Sequence, residues 1–138
     1  MHRLKQLLKN YPLSSICIIA VWIVCLIPVP ETPLKHTAFI DKWTHIGMYA
    51  ILCLLIWVEY WKNLSEKERH FTLSTHVKNL LLCGWLAPML MSGLIEIIQE
   101  NCTGGNSSGE WLDFAANCTG ATLTLCVGML WVWCRAKQ

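Results

Sequence analysis

Polar side chains recur in this chain at one-turn spacing, inside stretches that are otherwise apolar. Asp41 and His45 are four residues apart, Tyr49 follows one turn later, and Lys42 lies beside them. Glu96 and Gln99 are three apart, and Asp113 and Asn117 four apart. Residues at these spacings share a face of a helix, so each set can present its groups together. A histidine with carboxylates is equipped for acid–base chemistry, His45 taking or giving the proton while Glu96 and Asp113 tune or share it. His45, Glu96 and Asp113 are also a weak candidate set for a metal with an open fourth position. The pattern His-Glu-x-x-His is absent and the set holds one histidine, so neither a metal nor a cofactor is expected. No Gly-x-Ser-x-Gly occurs, and Cys102 precedes a Gly/Ser/Asn-rich stretch with no base nearby, which argues against a serine or cysteine nucleophile. The same residues fit equally a network that recognises a ligand and performs no reaction. Singly they have plain readings: Asp41 as a helix N-cap, Asp113 as a carboxylate favoured by a helix dipole, Asn117 as a bridge between helices.

The elements that must carry these residues follow from composition. Of 138 residues, 54% are hydrophobic and 14% charged, where a soluble domain carries roughly 25% charged residues. So small a soluble domain could not cover its surface with so few polar groups, and so apolar a chain is not disordered. A net charge of +2 gives no footprint for nucleic acid. Of the eight cysteines, Cys17, Cys25, Cys53, Cys83 and Cys126 sit in apolar runs, where cysteine behaves as a small hydrophobe. Cys102 and Cys118 are placed where a disulfide could form, and two thiols fit as well.

Four uncharged intervals remain: Asn10 to Pro30, Trp43 to Val58, Asn79 to Ile95 and Phe114 to Cys134. A membrane-spanning helix takes about 20 apolar residues. The expected fold is therefore all-α, one domain over 1–138: a four-transmembrane-helix bundle with spans near 11–30, 43–61, 79–99 and 113–134. The first interval follows Arg3, Lys5 and Lys9 but offers no small-x-small cleavage site, so it reads as a retained span. Nine of the eleven basic residues lie before span one, between spans two and three, or after span four; Lys35 and Lys42 fall in the other two loops. That asymmetry puts both termini in the cytoplasm. Trp57, Trp61, Trp131 and Trp133 would then form a cytoplasmic aromatic belt, and Trp43 and Trp111 an outer one. Lys62 to Lys78 reads as a cytoplasmic loop with a short amphipathic helix, 101–109 as a bendable outer loop, and Pro88 as a kink in the third span. Pro28, Pro30 and Pro33 end the first. Small residues Ser92, Gly93 and Gly120 favour close packing. Asn-x-Ser/Thr triplets begin at Asn101, Asn106 and Asn117. The topology gathers the three polar sets at the extracytoplasmic end, where ionisable residues face the bundle interior and one another.

Asp41-Lys42-Trp43-Thr44-His45, then Glu96-Ile97-Ile98-Gln99, then Asp113-Phe114-Ala115-Ala116-Asn117-Cys118-Thr119-Gly120 resemble, in order, the motifs of the VanZ-like family of bacterial membrane proteins. Members commonly carry an arginine shortly before the last motif; here 105–109 holds no basic residue. The resemblance implies a protein of the bacterial inner membrane with a cell-envelope role. The family's name comes from an accessory protein of glycopeptide resistance linked to teicoplanin, and no established reaction comes with it. Two functions stand side by side. One is a protein that binds a lipid, a lipid-linked cell-wall precursor or a lipophilic glycopeptide antibiotic at its outer face through Asp41, Lys42, His45, Tyr49, Glu96, Gln99, Asp113 and Asn117. The other is a small intramembrane enzyme working through His45, Glu96 and Asp113. A channel is disfavoured, because no charged path crosses the membrane.

Overall fold

A computed structural model describes residues 2–26, 38–64, 73–102 and 111–136. All regular structure among them is helical: α1 (His2–Asn10), α2 (Pro12–Leu26), α3 (Ala38–Asn63), α4 (Leu73–Leu81), a π-helical turn (Leu82–Leu86), α5 (Ala87–Cys102) and α6 (Trp111–Ala136). Three stretches are long and apolar enough to cross a membrane: Asp41–Asn63, Ser74–Asn101 and Trp111–Cys134. Pro12–Leu26 is equally apolar in character but shorter, at 15 residues. Only a minority of each long stretch is buried inside the protein, and large apolar side chains such as Ile16, Leu90 and Val127 point outward. An unpartnered apolar surface of this extent belongs in lipid, and the chain is a membrane protein.

The long helices run beyond the apolar intervals that announce them. α3 begins before Asp41, and α6 takes in Asp113, because an acidic group in the first turn is favoured by the helix dipole. Cross-contacts give the directions. Ser14 meets Glu59 near the end of α3, while Val21 and Cys25 pack with Tyr49 in its first half, so α2 runs opposite to α3. Lys42 meets Asp113 and Trp61 meets Trp131, so α3 and α6 run alike, with α4–α5 returning between them. Two ends result, called here the Asp41 end and the Glu59 end.

The α3–α6 contact is the most extensive in the molecule. Gly120 makes it so: a side chain there would collide with the Ile46 carbonyl oxygen. Thr124 Oγ1 donates to the Ala50 carbonyl at 3.1 Å one turn further on. Small residues that let backbones approach are the usual device for packing helices in lipid. Gly93 does not act this way, since a Cβ there would only touch Phe114 at 3.6 Å.

Pro88 expresses itself as a change of helical register. Proline lacks an N–H and its ring collides with the carbonyl four residues back, here that of Gly84. The preceding turn widens to π spacing, with the Ala87 N–H bonding the Leu82 carbonyl. Further sequence expectations are corrected. The expected segment Lys62 to Lys78 loses its start to α3, which continues to Asn63; its short amphipathic helix is present as the beginning of α4, from Leu73, which buries His76 against Trp61. Trp57 is not a belt residue but is buried, edge-on to Trp61 and Trp131. Trp43, Trp111 and Trp133 are exposed as a belt requires. Pro28, Pro30, Pro33, Lys35 and 103–109 lie outside the described residues.

Candidate functional site

At the Asp41 end, the first turns of α3 and α6 lie together and share charge. The Lys42 ammonium is paired with the Asp113 carboxylate and lies 3.6 Å from Asp41. Asp41 is largely open, its side chain 63% exposed, whereas that of Asp113 is 12% exposed. A lysine at this position holds a fixed positive charge between two carboxylates on different helices.

One turn deeper stands His45, with 12% side-chain exposure. Its Nδ1 is 3.0 Å from Asn117 Oδ1, and its Nε2 is 3.9 Å from Asp41 Oδ1. Asn117 also donates from Nδ2 to Ser92 Oγ at 2.8 Å. Asn117 thus bridges His45 and Ser92, and the second ring nitrogen of His45, Nε2, lies toward the open Asp41. Asn117 and Ser92 are buried and close the network from below, linking α3, α5 and α6.

The remaining members of the sequence set are distributed around this core. Tyr49 is fully buried, packed with Val21, Cys25 and Ile95. Gln99 reaches a further helix: its Nε2 donates at 2.6 Å to the carbonyl of Cys25, in the last turn of α2. Carbonyls in the last turn of a helix lack an intrahelical partner, so Gln99 ties that helix end to α5. Glu96 is half-buried. Cys118 is a free thiol. The Cys102 side chain and Asn106 lie outside the described residues. Asn117, buried and doubly bonded, is no acceptor for a glycan.

The metal-ligand geometry differs from the sequence set. Asp41, His45 and Asp113 bring one ligand atom each within 4.8 Å of one another, with Asp41 where Glu96 was expected. Lys42 bears on both carboxylates of that group. An ammonium there supplies the positive charge that a metal would bring, so the residues fit a bound cation poorly unless Lys42 moves.

Sequence reasoning missed Glu59, which lies inside the expected span 43–61. Glu59 is 4% exposed. It accepts from the Leu13 N–H at 2.8 Å, the Ser14 N–H at 3.0 Å and the Ser14 hydroxyl at 2.5 Å. These are first-turn donors of α2 with no intrahelical acceptor, and a carboxylate meets both that need and the positive end of the dipole. The signal available was an acidic residue amid Val58 and Tyr60 within an apolar run. His76 was missed too; its Nδ1 is 3.1 Å from the Tyr60 hydroxyl, which accepts from Asn79 Nδ2 at 2.9 Å.

Compared with known proteins, the chain matches no family model, no curated sequence and no solved structure.

Proposed function

We propose that the chain is a VanZ-like cell-envelope protein of the bacterial inner membrane, with four spans and both termini cytoplasmic. The fourth span is the one expected near 11–30, which contains α2. The Asp41 end then faces outward and binds the polar head of a lipid, a lipid-linked cell-wall precursor or a lipophilic glycopeptide. The observation that carries this reading is the graded burial of the cluster: an open Asp41 and a partly open Lys42 stand over a closed His45–Asn117–Ser92 network. Open charges on a rigid, hydrogen-bonded base can exchange partners with an incoming head group without disturbing the helices. The arrangement of motifs from Asp41 to Gly120 supports the family assignment.

The test is to compare lipid and muropeptide profiles and teicoplanin susceptibility in cells with and without the protein, and with Glu96→Gln. An acidic side chain among Ile95, Ile97 and Ile98 is costlier to keep in a membrane than an amide. Glu96→Gln is therefore expected to reach the membrane normally and to lose the cellular effect. An unchanged effect would leave Glu96 a purely structural tie.

One observation favours the enzymatic reading as the second. Asn117 holds His45 through Nδ1 and leaves Nε2 beside the open Asp41, the position from which a general base would work. His45→Asn separates the two, since an asparagine amide can still bond Asn117 but offers no base. Binding predicts partial function from this variant, and catalysis predicts none. Of the hydroxyls near His45, Ser92 and Tyr49 are fully buried, which leaves them poorly placed as nucleophiles.

A further inference from the structure

The Glu59 end holds a cavity that the cluster at the opposite end does not explain. α2 packs mainly on α3 and α5. Near its start it is held to α3 by Glu59, and near its end to α5 by Gln99. Between the start of α2 and α4 a space of about 480 Å³ remains, within the range of small-molecule sites, about 300–1,000 Å³. Leu8, Ile18, Ile56 and Leu80 give it apolar walls. The π-helical turn contributes Gly84, where a Cβ would press on Leu80 at 3.2 Å, and Cys83, which is exposed. π turns inside helices concentrate at functional sites.

The polar groups of this space sit at one end of it. Tyr11, Tyr60 and Asn79 line it there, next to the termini of α1 and α3. Asn63 Nδ2 donates to the Asn10 carbonyl at 2.5 Å and ties those termini together. Four exposed lysines flank the same end: Lys5 one turn before Leu8, Lys9 at the end of α1, Lys62 at the end of α3, and Lys78 beside Asn79. Glu59, the carboxylate among these residues, is already bonded to α2. An apolar slot with a hydroxyl- and amide-lined mouth and a basic rim matches an anionic amphiphile in shape and charge.

We propose that this cavity is a binding site for an anionic glycerophospholipid, one acyl chain lying along Ile18, Ile56 and Gly84 and the phosphate held among Lys5, Lys9, Lys62 and Lys78. Basic residues at the membrane surface attract anionic lipid individually, and the slot makes the attraction site-specific. The site is independent of the reading given to the Asp41 end, and neither fails with the other.

The full chain in phosphatidylcholine vesicles is irradiated with a phosphatidylglycerol carrying a diazirine near the end of one acyl chain, and labelled peptides are mapped. Labelling should concentrate at Ile18, Ile56 and Gly84 over the lipid-facing Leu90 and Val127. Unlabelled phosphatidylglycerol should compete better than phosphatidylcholine by on the order of tenfold. Replacing the four lysines with glutamine should bring the two competitors level. Cys83→Trp should fill the slot and remove most of its labelling while Leu90 and Val127 label as before. Ile18→Trp fills it from the other wall, so one variant decides if the other fails to insert. Even labelling of all lipid-facing positions, equal competition by the two lipids, or full slot labelling in an inserted tryptophan variant would overturn the proposal.

Discussion

The two ends of this bundle use carboxylates in opposite ways. At the Asp41 end, carboxylates pair with side chains, and one of them stays open to its surroundings. At the Glu59 end, a single carboxylate is buried and spends its oxygens on the backbone and hydroxyl of another helix. An acidic residue in an apolar helix is thus not one kind of signal. Where it bonds backbone it is part of the fold and cannot be given up to a ligand. Where it bonds a lysine in a half-open mouth, it can exchange that partner.

The sharpest way to break this contrast is through the helix pair that connects the ends. Gly120→Leu forces α6 away from the Ile46 carbonyl and should cost about 3 kcal/mol or more, well seen as a fall in thermal stability in detergent. Gly47→Ala, on the facing helix, meets nothing within 4 Å and should be nearly neutral. A neutral Gly120→Leu would mean that α3 and α6 do not pack as described.

Glu59→Ala is expected next in size. It strips the first turn of α2 of its acceptor and should cost roughly 2–3 kcal/mol, the range for bonds to charged groups. Amide exchange should speed up at Leu13 and Ser14 while the Asp41 end stays protected. Glu59→Gln keeps one acceptor oxygen and should fall between the two. Uniform loss of protection would deny the ends their independence.

Asn117→Ala should be smaller still. It removes the bridge between His45 and Ser92, and hydrogen bonds between membrane helices are worth about 0.6 kcal/mol on average and at most about 1.7. A loss above roughly 3 kcal/mol would show the network to be the fold's keystone and not a base for recognition. Asp41→Asn closes the series. Exposed ion pairs contribute about 0–1 kcal/mol, so stability should hardly move.

This contrast also explains what could be read from residues alone. Long apolar stretches declare themselves, because lipid demands them and nothing else in a chain this small does. The polar sets at the Asp41 end were legible because three helices repeat a one-turn spacing, which survives without knowledge of their neighbours. Glu59 was not legible, because its partners are backbone N–H groups some 46 residues away, and backbone has no sequence signature. Gln99 was grouped with the charged residues for its spacing from Glu96; its bond to the carbonyl at the end of α2 was not legible, because backbone on a distant helix has no spacing to announce it. His76 was hidden by Ser74, Thr75 and Lys78, whose polarity describes the other faces of the same short helix. The metal set exchanged Glu96 for Asp41 because sequence gives the turn, not the reach of each side chain.

In the proposed function, the open charges at the Asp41 end act on a ligand, while the carboxylate at the Glu59 end acts on the fold. Asp41→Asn tests it directly, through the lipid and muropeptide profile of cells in which the variant reaches the membrane at the normal level. The account predicts the profile of cells lacking the protein, with thermal stability unchanged. A profile identical to that of the unaltered protein would contradict it.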